Sequence, residues 1–156
     1  MTSIQDVSPR PVLRLASPGE VLESGEPRSP DVTWHTTDLD REARVAALGH
    51  SGATVWLTGL PASGKSTIAV KLEAALVFAG RPAYLLDGDN IRHGLSGDLG
   101  FSAGDRAENI RRVAHVARLM ADAGSVAIVS LVSPATADRA LARRLHAAAG
   151  LPFYEV

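Results

Sequence analysis

Gly59-Leu60-Pro61-Ala62-Ser63-Gly64-Lys65-Ser66 is the stretch on which the fold turns. It has the spacing G-x-x-x-x-G-K-[ST] of a loop that wraps phosphate. Each fixed type has a physical reason. Glycines let the chain turn tightly enough for successive N–H groups to converge on phosphate oxygens. A helix opening directly after the loop adds the partial positive charge of its N-terminus. The Lys65 ammonium is expected to reach the β- and γ-phosphates, and the Ser66 hydroxyl to ligate Mg2+. Thr67, the next polar side chain, is expected near the α-phosphate. Gly59, Leu60, Pro61, Ala62, Ser63, Gly64, Lys65, Ser66 and Thr67 therefore form an expected ATP site. The alternative is a glycine-rich turn with a surface lysine. Lysine occurs only at 65 and 71, so one inside such a loop is hard to treat as incidental.

The flanks agree with a strand–loop–helix unit. Residues 54–58 are an apolar, partly β-branched run and read as a buried strand. Residues 67–79 read as a helix closed by Gly80. Residues 82–87 form a second expected strand. Residues 105–123 read as a helix that buries Ile110, Val113, Ala114, Ala117 and Met120. Asp105 and Glu108 supply a capping pattern at its start, and Gly124 ends it. A third strand is expected at 125–131, a helix at 135–149 ended by Gly150, and the start of a fourth strand at 153–156. Upstream, 38–48 is helix-prone, with Leu39, Ala43, Ala46 and Ala47 near one face, and Gly49 and Gly52 end it. This alternation predicts an α/β fold: a parallel β-sheet with helices on both faces, of the P-loop NTPase, nucleotide kinase-like kind. Ligands in such sheets bind at the carboxyl ends of the strands.

Residues 1–33 differ. Pro9, Pro11, Pro18, Pro27 and Pro30 fall among Ser, Glu and Gly. Such a segment buries too little apolar surface to offset the entropy of ordering it, so 1–33 reads as a linker and 34–156 as the domain. Within the linker, 12–15 reads as a short strand only in a larger parent protein, because alone it has no partner.

Composition narrows the function. The 156 residues carry a formal net charge of −1, without the basic footprint of a general nucleic-acid binder. No cysteine is present, which removes disulfides and thiolate chemistry. The five histidines show no metal-ligand spacing, so Mg2+ on the nucleotide is the one expected metal. The longest apolar run, 126–132, is interrupted by Ser130 and far too short to cross a bilayer. The first ten residues lack the pattern of a secretory signal. No membrane association and a cytoplasmic location are expected.

A second cluster closes the second strand: Asp87-Gly88-Asp89-Asn90-Ile91-Arg92. Phosphoryl transfer needs positioning, a metal and a group that orients the attacking hydroxyl. Asp89 is the candidate to accept the hydroxyl proton or to hold Mg2+ through water, and Asp87 is expected to be structural. The alternative is a plain turn, since D-G and D-N are good turn dipeptides. Arg92 and Arg106 lie in or beside loops and suit an anionic substrate, which guanidinium binds bidentately. Arg111, Arg112, His115 and Arg118 also fit the solvated face of a helix, the preferred reading for Arg112 and Arg118. Phe101 suits stacking on a base or plugging the core. Asn109 projects from the same helix face as Arg106.

Several blocks together resemble the adenylyl-sulfate (APS) kinases. They are Trp34-His35, Arg41, Gly49-His50 and Gly52-Ala53-Thr54-Val55-Trp56-Leu57-Thr58-Gly59-Leu60; Asp87-Gly88-Asp89-Asn90-Ile91-Arg92-His93-Gly94-Leu95; Leu99-Gly100-Phe101-Ser102 with Asp105-Arg106 and Glu108-Asn109-Ile110-Arg111-Arg112; Ser130-Leu131-Val132-Ser133-Pro134; and Phe153-Tyr154-Glu155-Val156. The resemblance implies transfer of the ATP γ-phosphoryl to the 3′-hydroxyl of adenylyl sulfate, giving PAPS and ADP with Mg2+. It implies that Lys65, Asp89 and Ser133 are catalytic, and that Asp89, Arg92, Phe101, Arg106 and Asn109 bind adenylyl sulfate, Phe101 by stacking on the adenine. Ser133 matches a serine described in the family as a phosphorylated intermediate. Direct in-line transfer needs no such intermediate, so Ser133 is expected to hydrogen-bond substrate or to cap the next helix ahead of Pro134. The loop departs from the family's usual Leu-Ser-Gly-Ser-Gly at Pro61 and Ala62, and the variable positions are expected to absorb the change. Ala135 and Thr136 stand where the family often has an aromatic and a basic residue. The family also continues past the position of Val156 with a further strand segment and a basic lid, so a truncated kinase core with an exposed sheet edge is expected. A homodimer, and association or fusion with ATP sulfurylase, are the partner expectations. Another small-molecule kinase (shikimate, gluconate or nucleotide) and a non-catalytic nucleotide-binding fragment are the competing readings.

Overall fold

The computed structural model describes residues 31–33, 35 and 37–156. Expectations for Trp34 and for residues 1–30, the strand at 12–15 among them, lie outside the described residues.

The elements run α1 (Arg41–Leu48), β1 (Ala53–Leu57), α2 (Lys65–Phe78), β2 (Ala83–Asp87), α3 (Gly88–Ile91), α4 (Ala103–Asp122), β3 (Val126–Ser130), α5 (Thr136–Ala148) and β4 (Phe153–Glu155). The four strands form one parallel sheet in the order β2-β3-β1-β4. Every residue of β3 is buried, as a strand between two others and covered on both faces requires. Ser130 pairs in register with Leu57 on one side and Asp87 on the other. The carboxyl ends of β1, β2 and β3 therefore finish at one level, where the phosphate loop and the second acidic cluster begin.

Two cores hold the sheet. On one face α4 and α5 pack Ile110, Val113, Ala114, Ala117, Ala142 and Leu145 against Trp56, Leu86, Ala127 and Val129. Full burial of a side chain such as Ile110 contributes roughly 1.5–3 kcal/mol. On the other face α2 brings Ala69, with Leu72 and Leu76, onto Leu57, Val126 and Ile128. Gly52 is where β1 meets the end of α4. A Cβ there would lie 2.2 Å from the Ala121 carbonyl oxygen and 2.5 Å from that of Ser125, so no other residue fits without moving backbone.

Three local expectations are corrected, and one alternative is removed. The helix expected at 105–123 starts earlier: Ser102 accepts the Asp105 N–H at 3.1 Å and Asp105 accepts the Ser102 N–H in return. Glu108 takes no part in that cap and instead receives Arg111 and Arg112. The apolar stripe expected on the first helix buries nothing. α1 is held by Arg41 on Asp122 at 2.7 Å and by the Arg44 bond to the Asp122 carbonyl at 3.1 Å. Asp87-Gly88-Asp89 is not a plain turn, because Asp87 caps the short helix α3 by accepting the Asp89 N–H. α5 begins after Ala135, without a side-chain cap, so Ser133 does not cap it. Among the described residues no helix is long and apolar enough to cross a membrane.

Candidate active site

The phosphate loop leaves β1 through Thr58 and enters α2 at Lys65. Gly59 (φ 150°) and Gly64 (φ 88°) take backbone angles that side-chain-bearing residues avoid. Ala62, at φ 62°, is the one non-glycine residue with positive φ among the described residues. It stands where the resembling family more often has glycine, so this departure is not absorbed freely. A left-handed alanine costs about 1 kcal/mol. Residues 62–67 line an open pocket of about 220 Å³. The Lys65 Nζ donates to the Leu60 carbonyl at 2.7 Å and to the Ser63 hydroxyl at 3.3 Å, which holds its charge over the loop.

Beside Lys65, the Ser66 hydroxyl donates to Asp87 Oδ2 at 3.0 Å and lies 3.4 Å from the Ser130 hydroxyl. The three side chains come from the start of α2 and the ends of β2 and β3. Asp87 was expected to be structural; it is both the cap of α3 and the carboxylate on Ser66. Asp89 stands exposed on the first turn of α3. The signal for Asp87 and Ser130 lay in the sequence: in a parallel sheet, polar residues that close adjacent apolar strands meet at the ligand edge. No group of three or more His, Cys, Asp or Glu is placed to hold a metal among the described residues. The oxygens of Ser66, Asp87 and Ser130 nevertheless fit Mg2+, which takes one or two carboxylate ligands and completes its shell from water and substrate phosphates.

A third group gathers around the loop at 99–101. The Arg92 guanidinium lies 4.4 Å from the centroid of the Phe101 ring and donates to the carbonyls of Leu99 and Gly100 at 3.2 and 2.9 Å. Arg106 donates to the Phe101 carbonyl at 3.0 Å. Phe101 is 70% exposed, which removes the alternative that it plugs the core. Its ring is held face-on by a cation, with the loop fixed by two arginines. Asn109 is 5% exposed, and its Oδ1 is buried without a hydrogen-bond partner among the described residues. A buried unmatched amide oxygen is costly enough to ask for a ligand donor.

The other arginines have other work. Arg112 bridges Glu108 at 2.9 Å and Asp98 at 2.6 Å, and Arg111 lies 2.7 Å from Glu108, so Arg112 is no freely solvated side chain. Hydrogen bonds from Arg111 and Arg112 hold the Glu108 carboxyl down at about 2. Arg118 is half-buried, its Nε without a hydrogen-bond partner among the described residues. Ser133 is 1% exposed. It accepts the Trp56 indole N–H at 3.1 Å and donates to the Thr58 hydroxyl at 2.9 Å. A second pocket of about 220 Å³ is lined by Thr58, Gly59, Leu60, Val132, Pro134 and Arg139.

Comparison with known proteins follows the same residues. The family profile described as adenylylsulphate kinase matches residues 51–156. The adenylyl-sulfate kinase of Penicillium chrysogenum is 55% identical over 135 residues, covering 82% of this chain and 64% of the relative. The bifunctional enzyme CysN/CysC of Mycobacterium tuberculosis is 51% identical over 131 residues, covering 82% of this chain and 20% of the relative. Among solved structures, the Mycobacterium tuberculosis APS kinase CysC in complex with AMPPNP and APS superposes with a TM-score of 0.66 at 56% identity, over 68% of this chain and 61% of that one. The chain thus spans less than two thirds of the length of each of these relatives.

Proposed function

The chain belongs to the adenylylsulphate kinase family, and from that premise we propose that it transfers the γ-phosphoryl group of ATP to the 3′-hydroxyl of adenylyl sulfate. The 3′-oxygen forms the new bond to Pγ as the bond from Pγ to the β,γ-bridging oxygen breaks. ADP leaves and PAPS is the product. The observation that carries the reading is the Ser66–Asp87–Ser130 triangle beside Lys65, at the mouth of a phosphate loop and at the carboxyl edge of a parallel sheet.

The roles follow from the chemistry of each group. The loop amides and Lys65 cradle the β- and γ-phosphates and meet the charge that builds on them. Ser66 and Asp87 hold Mg2+, which when bound neutralises phosphate charge and fixes the nucleotide. Asp89, exposed on the first turn of α3, takes the proton of the attacking hydroxyl. Phe101 offers its ring to the adenine of adenylyl sulfate, Arg92 and Arg106 offer charge to its anionic linkage, and Asn109 supplies the acceptor for a ligand donor. Residues 34–156 act as the kinase unit, with 1–33 as a linker. A cytoplasmic setting, a homodimer and association with ATP sulfurylase complete the proposal.

The test is an acceptor panel with γ-labelled ATP and Mg2+: adenylyl sulfate against shikimate, gluconate and nucleoside monophosphates. Label on adenylyl sulfate alone is the expected result. Label on another acceptor in its place assigns a different small-molecule kinase. Nucleotide binding without any labelled product assigns a non-catalytic binding module.

A further inference from the structure

The side chain of Trp56, three residues before the phosphate loop in the sequence, carries a polar function that the proposed chemistry does not use. It is fully buried, and its indole N–H is a donor that cannot accept. The Ser133 oxygen accepts from Trp56 at 3.1 Å, and the Ser133 hydroxyl donates to the Thr58 oxygen at 2.9 Å. The Thr58 proton then goes to the Ser133 carbonyl at 3.3 Å. The chain has one polarity and no spare proton. Thr58 is the residue directly before Gly59, the first residue of the phosphate loop. The Ser133 carbonyl also receives Arg139 at 2.7 Å, and Arg139 lies 2.8 Å from Glu155 on the edge strand β4.

We propose that Trp56 is a positioning residue for the phosphate loop, acting through Ser133 and Thr58 to fix the direction in which the chain leaves β1. Ser133 serves in this role as a relay between the two ends of the device, and its buried hydroxyl is occupied on both sides. The side chains come from the end of β1 and from the loop after β3, so the device ties the base of the phosphate loop to the segment between β3 and α5. Buried networks of this kind rigidify when every member is satisfied and cost most when one is removed. A loop whose amides must converge on phosphate is sensitive to small errors of aim.

The inference rests on the reading that this loop holds nucleotide phosphates, and the experiment separates the two. Mg·ADP binding to the full chain is measured by calorimetry for the wild type and for Thr58→Val, Thr58→Ser, Trp56→Phe and Thr58→Val with Trp56→Phe. Valine keeps the shape of threonine and loses the hydroxyl; serine does the reverse. The expected result is a loss of about tenfold in affinity for Thr58→Val and for Trp56→Phe, with Thr58→Ser within about twofold of wild type. The double variant should bind no more weakly than either single one, because both break the same chain. Wild-type-like binding by Thr58→Val with a loss in Thr58→Ser would show that Thr58 acts by packing and would overturn the proposal. So would single losses that multiply in the double variant. A wild type that binds no Mg·ADP would overturn the nucleotide reading and this inference with it.

Discussion

The two faces of the sheet are covered by helices of unlike composition, and the more apolar helix, α2, buries less than α4 and α5 do. On the α4–α5 face Ile110, Val113, Ala114, Ala117 and Ala142 are almost wholly removed from water. The Arg139–Glu155 pair and the Arg112–Asp98 and Arg112–Glu108 pairs lie on the same side. On the α2 face only Ala69 of the helix is buried, while Ile68, Val70 and Val77 are about half exposed and Phe78 is 90% exposed. The difference reflects what each helix is for. α4 and α5 are placed by the stripe they bury. α2 is placed by its first turn, which must present Lys65 and Ser66 at the end of the loop, and its apolar residues run round the whole cylinder. Apolar content thus says little about burial unless it has a period.

Breaking the scaffold face should have the largest effects. Gly52→Ala drives a Cβ into two carbonyl oxygens at the junction of β1 and α4, and should cost about 3 kcal/mol or more in a urea titration. Ile110→Ala empties a fully packed site and should cost about 2–5 kcal/mol in the same titration. A smaller effect comes from pH. His146 is fully buried on this face, with Nε2 2.8 Å from the Thr54 hydroxyl and Nδ1 2.7 Å from the Ala142 carbonyl. Burial pushes its pKa below 6.5; the hydrogen bond to the Ala142 carbonyl opposes this, and the charges of Arg118 and His115 add to it. The unfolded chain therefore binds a proton that the folded chain refuses. Stability should be fully present above about pH 6.5 and fall as the pH drops from there toward the lowered folded value. His146→Leu should flatten that slope; an unchanged slope would remove His146 from the account.

On the α2 side the effects should be smaller. Ala62→Gly relieves a left-handed alanine at the loop, offset by the greater freedom of glycine in the unfolded chain, and should stabilise by up to about 1 kcal/mol. Phe78→Ser should change the urea midpoint by no more than the equivalent of about 0.5 kcal/mol, since the ring is already in water. A loss as large as that of Ile110→Ala would mean that this face is covered in solution.

The same contrast marks what the sequence could reveal. The four strands, α4 and α5 were legible, because apolar runs and periodic stripes bounded by Gly80, Gly124 and Gly150 are local signals. The phosphate loop was legible because its spacing is fixed by phosphate geometry. What stayed hidden depends on residues far apart in the chain. Arg41 meets Asp122 across 81 positions, Ser66 meets Asp87 across 21, and Trp56 meets Ser133 across 77. Asp87 was underrated beside Asp89 although, like Ser130, it closes an apolar strand; which polar strand ends meet is set by the order β2-β3-β1, and that order is not a local signal. The cap of α4 was misassigned for a local reason. Asp105–Glu108 and Ser102–Asp105 both have cap spacing, and Glu108 was drawn away by Arg111 and Arg112.

The most direct test of the account is PAPS formation from ATP, Mg2+ and adenylyl sulfate by this chain and by Lys65→Ala. The account predicts product from the wild type and a loss of about 1,000-fold in the variant, since Lys65 supplies the charge that meets the transferring phosphoryl group. Equal product from both would place the chemistry away from this loop, and no product from the wild type would contradict the proposed activity of the chain.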